Sequence, residues 1–356
     1  MEKSLFLQFQ NNRFTMKKTF FSLSMLVLMG FMAACNTRVD LYADYKEVPV
    51  VYGLIDATQD TNYIKIIRAF SGSNDSPINT HEVALIADSC NYPGKLDARI
   101  VEYINTYGNN YKPTGREIVL DTMTIHDKDS GAFYYPNQKV YFTTAGFNIN
   151  NQNTKYKYQL VALKNNDTIT AETGIVGGTE FKILTNTVTF SPTGNDKTRK
   201  ITFKPADNAA VYEMRLTFNY KEKKGSGPIK DKQVSWSYGT KGINELVYED
   251  GHYVVSYIES TLFSILGDAI GADTLNVERY IGDFEIALSA GGTELYNYIL
   301  INSPSEGYSQ NIPDYTNVNG GFGLFSSRIT LKQIARLSAM TQTDIYGMNW
   351  GFRQRN

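Results

Sequence analysis

From Val48 onwards the chain keeps returning to one pattern: short stretches dense in Val, Ile, Thr, Tyr and Phe, each closed by Asn, Asp, Gly or Pro. β-branched and aromatic residues fit a pleated, half-buried surface, and turn residues at regular spacing break it into strands. Such stretches lie at 48–55, 62–70, 98–104, 117–124, 139–144, 156–164 and 168–175. Asn165-Asn166-Asp167 suits a tight hairpin between the last two, because Asn and Asp tolerate positive φ. Thr80 can cap a short helix over 80–90, with Val83, Ala84 and Ala87 at helical spacing. The pattern predicts an immunoglobulin- or fibronectin-like β-sandwich over 48–177, ending at Gly177-Gly178.

The second half, 178–356, mixes periods. Strands are expected at 200–205, 210–220, 234–238, 283–289 and 321–329. Helices are expected at 252–266, 294–300 (after the cap Thr293) and 331–340. The first of these rests on Val254, Tyr257, Ile258, Leu262, Ile265 and Leu266, and the last on Leu331, Ile334, Ala335 and Leu337. The expected class is therefore mainly β: a sandwich domain, then a β-rich domain with inserted helices.

The segment ahead of Val48 reads differently. Lys17-Lys18 precedes an apolar run from Phe20 to Phe31, and Met32-Ala33-Ala34-Cys35 follows. A positive start, a short apolar stretch and small residues before a cut describe a secretory signal over 1–34, with Met16 a candidate true start. The run is short for a membrane-spanning helix. Met32 to Cys35 resembles a bacterial lipobox, which makes Cys35 the expected lipidation site and 35–47 a tether. Several acyl chains on one cysteine hold a membrane stably, at about 0.8 kcal/mol per buried CH₂.

Charge excludes one large class of partner. The chain carries 35 Lys+Arg against 36 Asp+Glu, so no basic excess exists to neutralise nucleic-acid phosphates. Removal of 1–34 takes Lys3, Arg13, Lys17 and Lys18 with Glu2, shifting the formal balance from −1 to −4. With Cys35 acylated, Cys90 has no disulfide partner and is expected in the core.

Chemistry is sparse. His81, His126 and His252 stand alone, without metal-ligand spacing. No phosphate loop, dinucleotide fingerprint or nucleophile elbow is present. Asp127 and Asp129 alternate before Gly131 as calcium ligands would, but no bidentate Glu follows, and a hairpin turn between 123–125 and 133–134 explains them. Glu278 and Asp283 are the sort of carboxylate pair a glycosidase needs, at a spacing that chance supplies. Residues 221–232 read as an exposed loop with Lys221, Lys223, Lys224, Lys230 and Lys232 beside Trp236 and Tyr238. These seven are the candidate partner contacts, for lipid headgroups or an acidic partner, against the plainer reading of a solvated hairpin. No cofactor is expected.

The lipobox, Val50-Val51-Tyr52-Gly53-Leu54-Ile55, Ile286-Ala287-Leu288, Tyr296-Asn297-Tyr298 and the run Asn317-Val318-Asn319-Gly320-Gly321-Phe322-Gly323-Leu324-Phe325 carry a likeness. Together they resemble a large family of uncharacterised outer-membrane lipoproteins of Bacteroidota. That family has an Asn-x-x-Gly-Gly-x-Gly-x-Phe stretch near its C-terminus. Gly320, Gly321 and Gly323 read as structural, allowing positive φ and close backbone approach. This chain departs from the family in continuing through 328–346 and Trp350. The resemblance implies no catalytic residues and an association with TonB-dependent transporters. The expected function is a non-enzymatic, outer-membrane-anchored lipoprotein, facing the cell surface or the periplasm, that helps such a transporter capture a ligand. A structural or adhesive surface protein is the alternative, and an extracellular hydrolase the third.

Overall fold

Two buried polar residues set the first turn. Asp56 accepts from Thr58 N (2.9 Å) and Thr58 Oγ1 (2.6 Å). Asn62 accepts from Asp56 N (2.7 Å) and donates to Asp56 O (3.1 Å). This knot returns β1 (Val48–Ile55) into β2 (Asn62–Ala69). The computed structural model describes residues 48–69, 90–106, 110–126, 129, 137–164, 167–193, 197–272, 276–302 and 315–354. All of them belong to one compact unit, Glu47–Phe70 with Asn79–Asn356.

The next strands are β3 (Asp97–Asn105), β4 (Lys112–Val119), β5 (Asp121–Ile125), β6 (Gln138–Thr143), β7 (Lys155–Lys164) and β8 (Asp167–Gly174). Antiparallel β1, β2, β6 and β5 form one wall, and β8, β7, β3 and β4 form the other. Alternate residues of both walls point between them: Ile64 and Tyr141 from one, Ile100, Tyr158 and Leu160 from the other, all fully buried. Each such side chain stabilises the fold by about 1.5–3 kcal/mol relative to exposure.

Beyond Gly174 come β9 (Lys182–Ile183), β10 (Thr187–Val188), β11 (Thr198–Lys204), β12 (Val211–Lys224), β13 (Lys230–Gly242), β14 (Val247–Glu249) and β15 (His252–Ile258). Then follow α1 (Glu259–Ile270), β16 (Val277–Gly291), α2 (Thr293–Asn302), β17 (Val318–Asn319), β18 (Phe322–Leu337) and α3 (Ala339–Gly347). A second core gathers Phe203 of β11, Leu216 and Phe218 of β12, Ile286 of β16, Leu266 of α1 and the C-terminal Trp350 and Phe352. The molecule is mainly β, as expected.

The two cores change over near Gly177-Gly178, but the chain does not separate there. One sheet runs β13-β12-β16-β18-β1-β2-β6-β5 across both halves. β18 is the shared strand: its first part pairs in parallel with β1 from Phe322 to Ser327, and its later part pairs with β16 from Arg328 to Ala335. The expected split into 48–177 and 178–356 therefore marks a change of core, not a break between separate domains.

The glycine-rich run builds that junction. Asn317 bonds Phe325 at both ends of its amide, donating to its O (2.7 Å) and accepting from its N (2.9 Å), as a neighbouring strand would. Gly320 and Gly323 have φ of 77° and 112°. A Cβ on Gly321 would lie 2.6 Å from Pro49 O, and one on Gly323 would fall on Val51 O. Only glycine lets β1 lie this close to β18.

Several expectations are corrected. The strand expected at 117–124 is two strands in opposite walls, with fully buried Leu120 between them donating its N–H to Ala98 O (2.9 Å). Residues 252–258 are strand β15, and helix α1 starts only at Glu259. Val254 and Tyr257 are both buried three positions apart, and that spacing imitates a helix. Residues 331–337 continue β18, with Ile329, Ala335 and Leu337 inward and Ile334 outward at period two. The helix follows at Ala339, capped by Ser338, whose Oγ accepts from Thr341 N. Ile125 pairs with Gln138 of β6, and residues 133–134 of the expected hairpin lie outside the described residues. Cys90 is half-buried, not fully in the core. Residues 80–89 of the expected helix, Cys35, Asp127 and the segment 1–47 lie outside the described residues.

Candidate functional site

The lysine-rich segment is the tip of a long hairpin, and its strands fix where each lysine points. β12 and β13 stay paired out to Glu222 and Lys230, so only 225–229 form the turn, not the whole of 221–232. Alternation on β12 sends Leu216, Phe218, Tyr220 and Glu222 inward, which leaves Lys221 and Lys223 on the outer face. Lys230 and Lys232 stand opposite Glu222 and Tyr220, so they extend the inner face past the end of the core. The five lysines are thus divided between two faces. Lys221 meets Asp231 at 3.8 Å, Lys223 meets Glu278 at 4.0 Å and Lys224 meets Glu222 at 3.7 Å. Lys230 and Lys232 make no ion pair among the described residues.

Trp236 and Tyr238 are half-buried and continue the face of β13 that carries Lys230 and Lys232. Both lie against the second core, with the Trp236 ring edge-on to Phe284 at 6.0 Å. Burial pushes the Tyr238 hydroxyl up to about 12. The period of β13 accounts for this: Val234, Trp236 and Tyr238 are one face of a strand.

The outer face of β13, β12, β16 and β18 is a polar cleft of about 480 Å³. Hydroxyls pair across strands, Thr217 with Ser235 and Ser289 with Thr330, both at 2.9 Å. Ser237 Oγ donates to Glu213 (3.0 Å), and Lys332 meets Glu285 at 3.3 Å. Arg328 also lines the cleft, and its guanidinium makes no ion pair among the described residues. Together with the hairpin tip, this face presents fixed donors and acceptors of both signs.

Two buried charge clusters were invisible in the sequence. Glu102, on β3, takes Arg116 Nη1 (3.0 Å), Tyr158 Oη (2.9 Å), Asn148 Nδ2 (2.8 Å) and Thr114 Oγ1 (3.1 Å). Arg279 bonds Glu222 (3.0 Å) and Trp350 O (2.5 Å), fastening the C-terminal segment under the hairpin. Glu102 is saturated by four donors, and Glu222 is paired with the buried Arg279 guanidinium, which is how structural charges are buried. Glu278 bonds Tyr280 (3.2 Å), while Asp283 is exposed, and no hydrogen bond joins the two among the described residues. Asp129 is exposed, and the described residues contain no group of three or more His, Cys, Asp or Glu placed to hold a metal. No helix among them is long and apolar enough to cross a membrane.

Fold and surface together define a mainly β protein of two cores joined by one strand. No protein-family model matches the chain, and no curated protein matches it.

Proposed function

We propose that this chain is a non-enzymatic lipoprotein of the outer membrane, anchored through Cys35, that serves a TonB-dependent transporter as an accessory ligand-capture partner. The carrying observation is the order of parts: Lys17-Lys18, an apolar run, Met32-Ala33-Ala34-Cys35, a short tether, and then the β scaffold. A tether of 35–47 keeps the scaffold near the bilayer, where a transporter presents its own loops. The projecting β12–β13 hairpin, with Lys230 and Lys232 outside any ion pair among the described residues, is the element suited to an acidic contact there.

The test is affinity capture of the native lipoprotein from solubilised outer membranes, alongside a Cys35→Ala variant. The reading expects a TonB-dependent transporter to be recovered with the native chain and weakened recovery after K230E/K232E. It expects Cys35→Ala to lose labelling by an alkyne fatty acid. Recovery of no transporter, with unchanged nutrient uptake in a deletion strain, would sink it.

A further inference from the structure

The second core contains a cavity that the packing of its two sheets leaves open. Its volume is about 230 Å³, between β12, β13 and β16 on one side and β11, β14 and β15 on the other. Phe203, Tyr212, Met214, Val254 and Leu288 form the apolar wall. The aromatic side is rigid, because Phe203 and Tyr212 contact ring to ring at 5.0 Å and Tyr212 Oη is held by Ala206 N at 2.8 Å.

The mouth has a different chemistry. Lys241 and Glu245 stand there 3.6 Å apart, each half exposed. One oxygen of Glu245 is already committed to Gly242 N (2.8 Å). Gly239 also lines the cavity, with open space where a Cβ would project. Beside it, Val247 and Tyr248 of β14 leave 53% and 58% of their surface in water. Val247 at the lip of a largely apolar cavity, with the Lys241–Glu245 pair beside it, describes an amphipathic guest.

We propose that this cavity binds a small amphipathic monocarboxylate, its apolar body against Phe203, Tyr212, Met214 and Leu288 and its carboxylate on the Lys241 ammonium. A cavity of about 150 Å³ accommodates benzene, so this one takes a body of about eight carbons. The Lys241–Glu245 pair opens to admit the guest headgroup, which replaces the exposed, weakly held Glu245 contact at little cost. This assignment goes beyond the partner reading and does not rest on it. Purified chain that binds such a ligand yet captures no transporter would retire only the partner.

The probe is octanoate, with octanol as its uncharged counterpart, titrated into the mature chain carrying 13C-methyl methionine. The Met214 methyl resonance, assigned through Met214→Leu, should shift saturably with octanoate. Octanol should bind about threefold to fivefold more weakly, and Lys241→Ala, a change at a half-exposed side chain, should weaken octanoate by a similar factor. Val254→Trp should fill the cavity and abolish both, and the Met214 shift locates the guest even where that variant does not fold. A Met214 resonance that stays still at about 10 mM octanoate overturns the site. Equal binding of octanol and octanoate, untouched by Lys241→Ala, overturns the carboxylate assignment.

Discussion

Glu102 is nearly out of solvent inside the first core, with Arg116, Tyr158, Asn148 and Thr114 donating to it. Its replacement by Gln keeps the shape but removes the charge that Arg116 faces and sets an NH₂ against donors. Glu102→Gln is expected to cost about 2–4 kcal/mol in urea unfolding, because a buried network loses its acceptor. A loss below about 0.5 kcal/mol would mean that the network is dispensable. The buried tyrosines add a pH signature. Burial raises Tyr141, Tyr212 and Tyr257 above the ordinary 10.0, and burial followed by the Glu102 carboxylate raises Tyr158. Below pH 10.0 both folded and unfolded chains keep these protons, so the tyrosines stabilise fully. Above it the unfolded chain releases them and the folded chain does not, so stability falls as pH rises. The urea midpoint should drop between about pH 9 and pH 11.5, and Tyr158→Phe should flatten that drop.

At the scale of elements, the glycine-rich entry to β18 is the feature with the least tolerance. Gly323→Ala places a methyl on Val51 O and demands φ of 112° from a residue that avoids it. We expect a loss of about 3 kcal/mol or more. Gly115→Ala, also at positive φ but facing open space, should cost about 1–2 kcal/mol. Comparable losses at the two sites, by thermal or urea unfolding, would separate the junction from its supposed tightness. The same scale explains where periodicity misled. Leu331, Ile334 and Ala335 fall on a helical stripe, yet Ile334 is 56% exposed, because pairing of β18 with β16 overrides the local pattern. Residues 117–124 read as one strand because a chain that switches walls at Leu120 keeps β-rich composition on both sides of the switch.

The whole molecule is held together by β18, which pairs with β1 of the first core and β16 of the second. Both tryptophans, Trp236 and Trp350, belong to the second core. Leu160 lies fully buried in the first. Leu160→Ala should therefore lower the urea midpoint seen by tryptophan fluorescence, with a loss of about 2–5 kcal/mol, although no tryptophan is near it. An unchanged tryptophan transition, with near-UV tyrosine signals shifted alone, would show that the cores unfold separately. The C-terminal continuation belongs to the same argument. Trp350 packs on Phe263 at 5.0 Å between ring centres, and Arg279 donates to Trp350 O, so the segment beyond the glycine-rich run completes the second core.

Strand-rich class, the existence of β1, β2, β3, β7 and β8, the hairpin between the last two and the structural role of the glycines were all legible in the sequence. Each depends on local alternation, turn chemistry or the absence of a Cβ, and those act within a few residues. Partners far along the chain were not legible. Phe322 to Ser327 could not announce that they lie beside Val50 to Ile55, nor Arg279 that it meets Glu222, because pairing and ion-pair choice are settled by which surfaces pack. The lysines of the hairpin were found by composition, but their division between two faces follows from register, and one residue of slip would exchange the faces. The cavity at Lys241 is likewise a product of two sheets meeting, with its wall drawn from β11, β12, β15 and β16. Local physics named the strands; long-range packing decided which of them share a sheet, a core and a cavity.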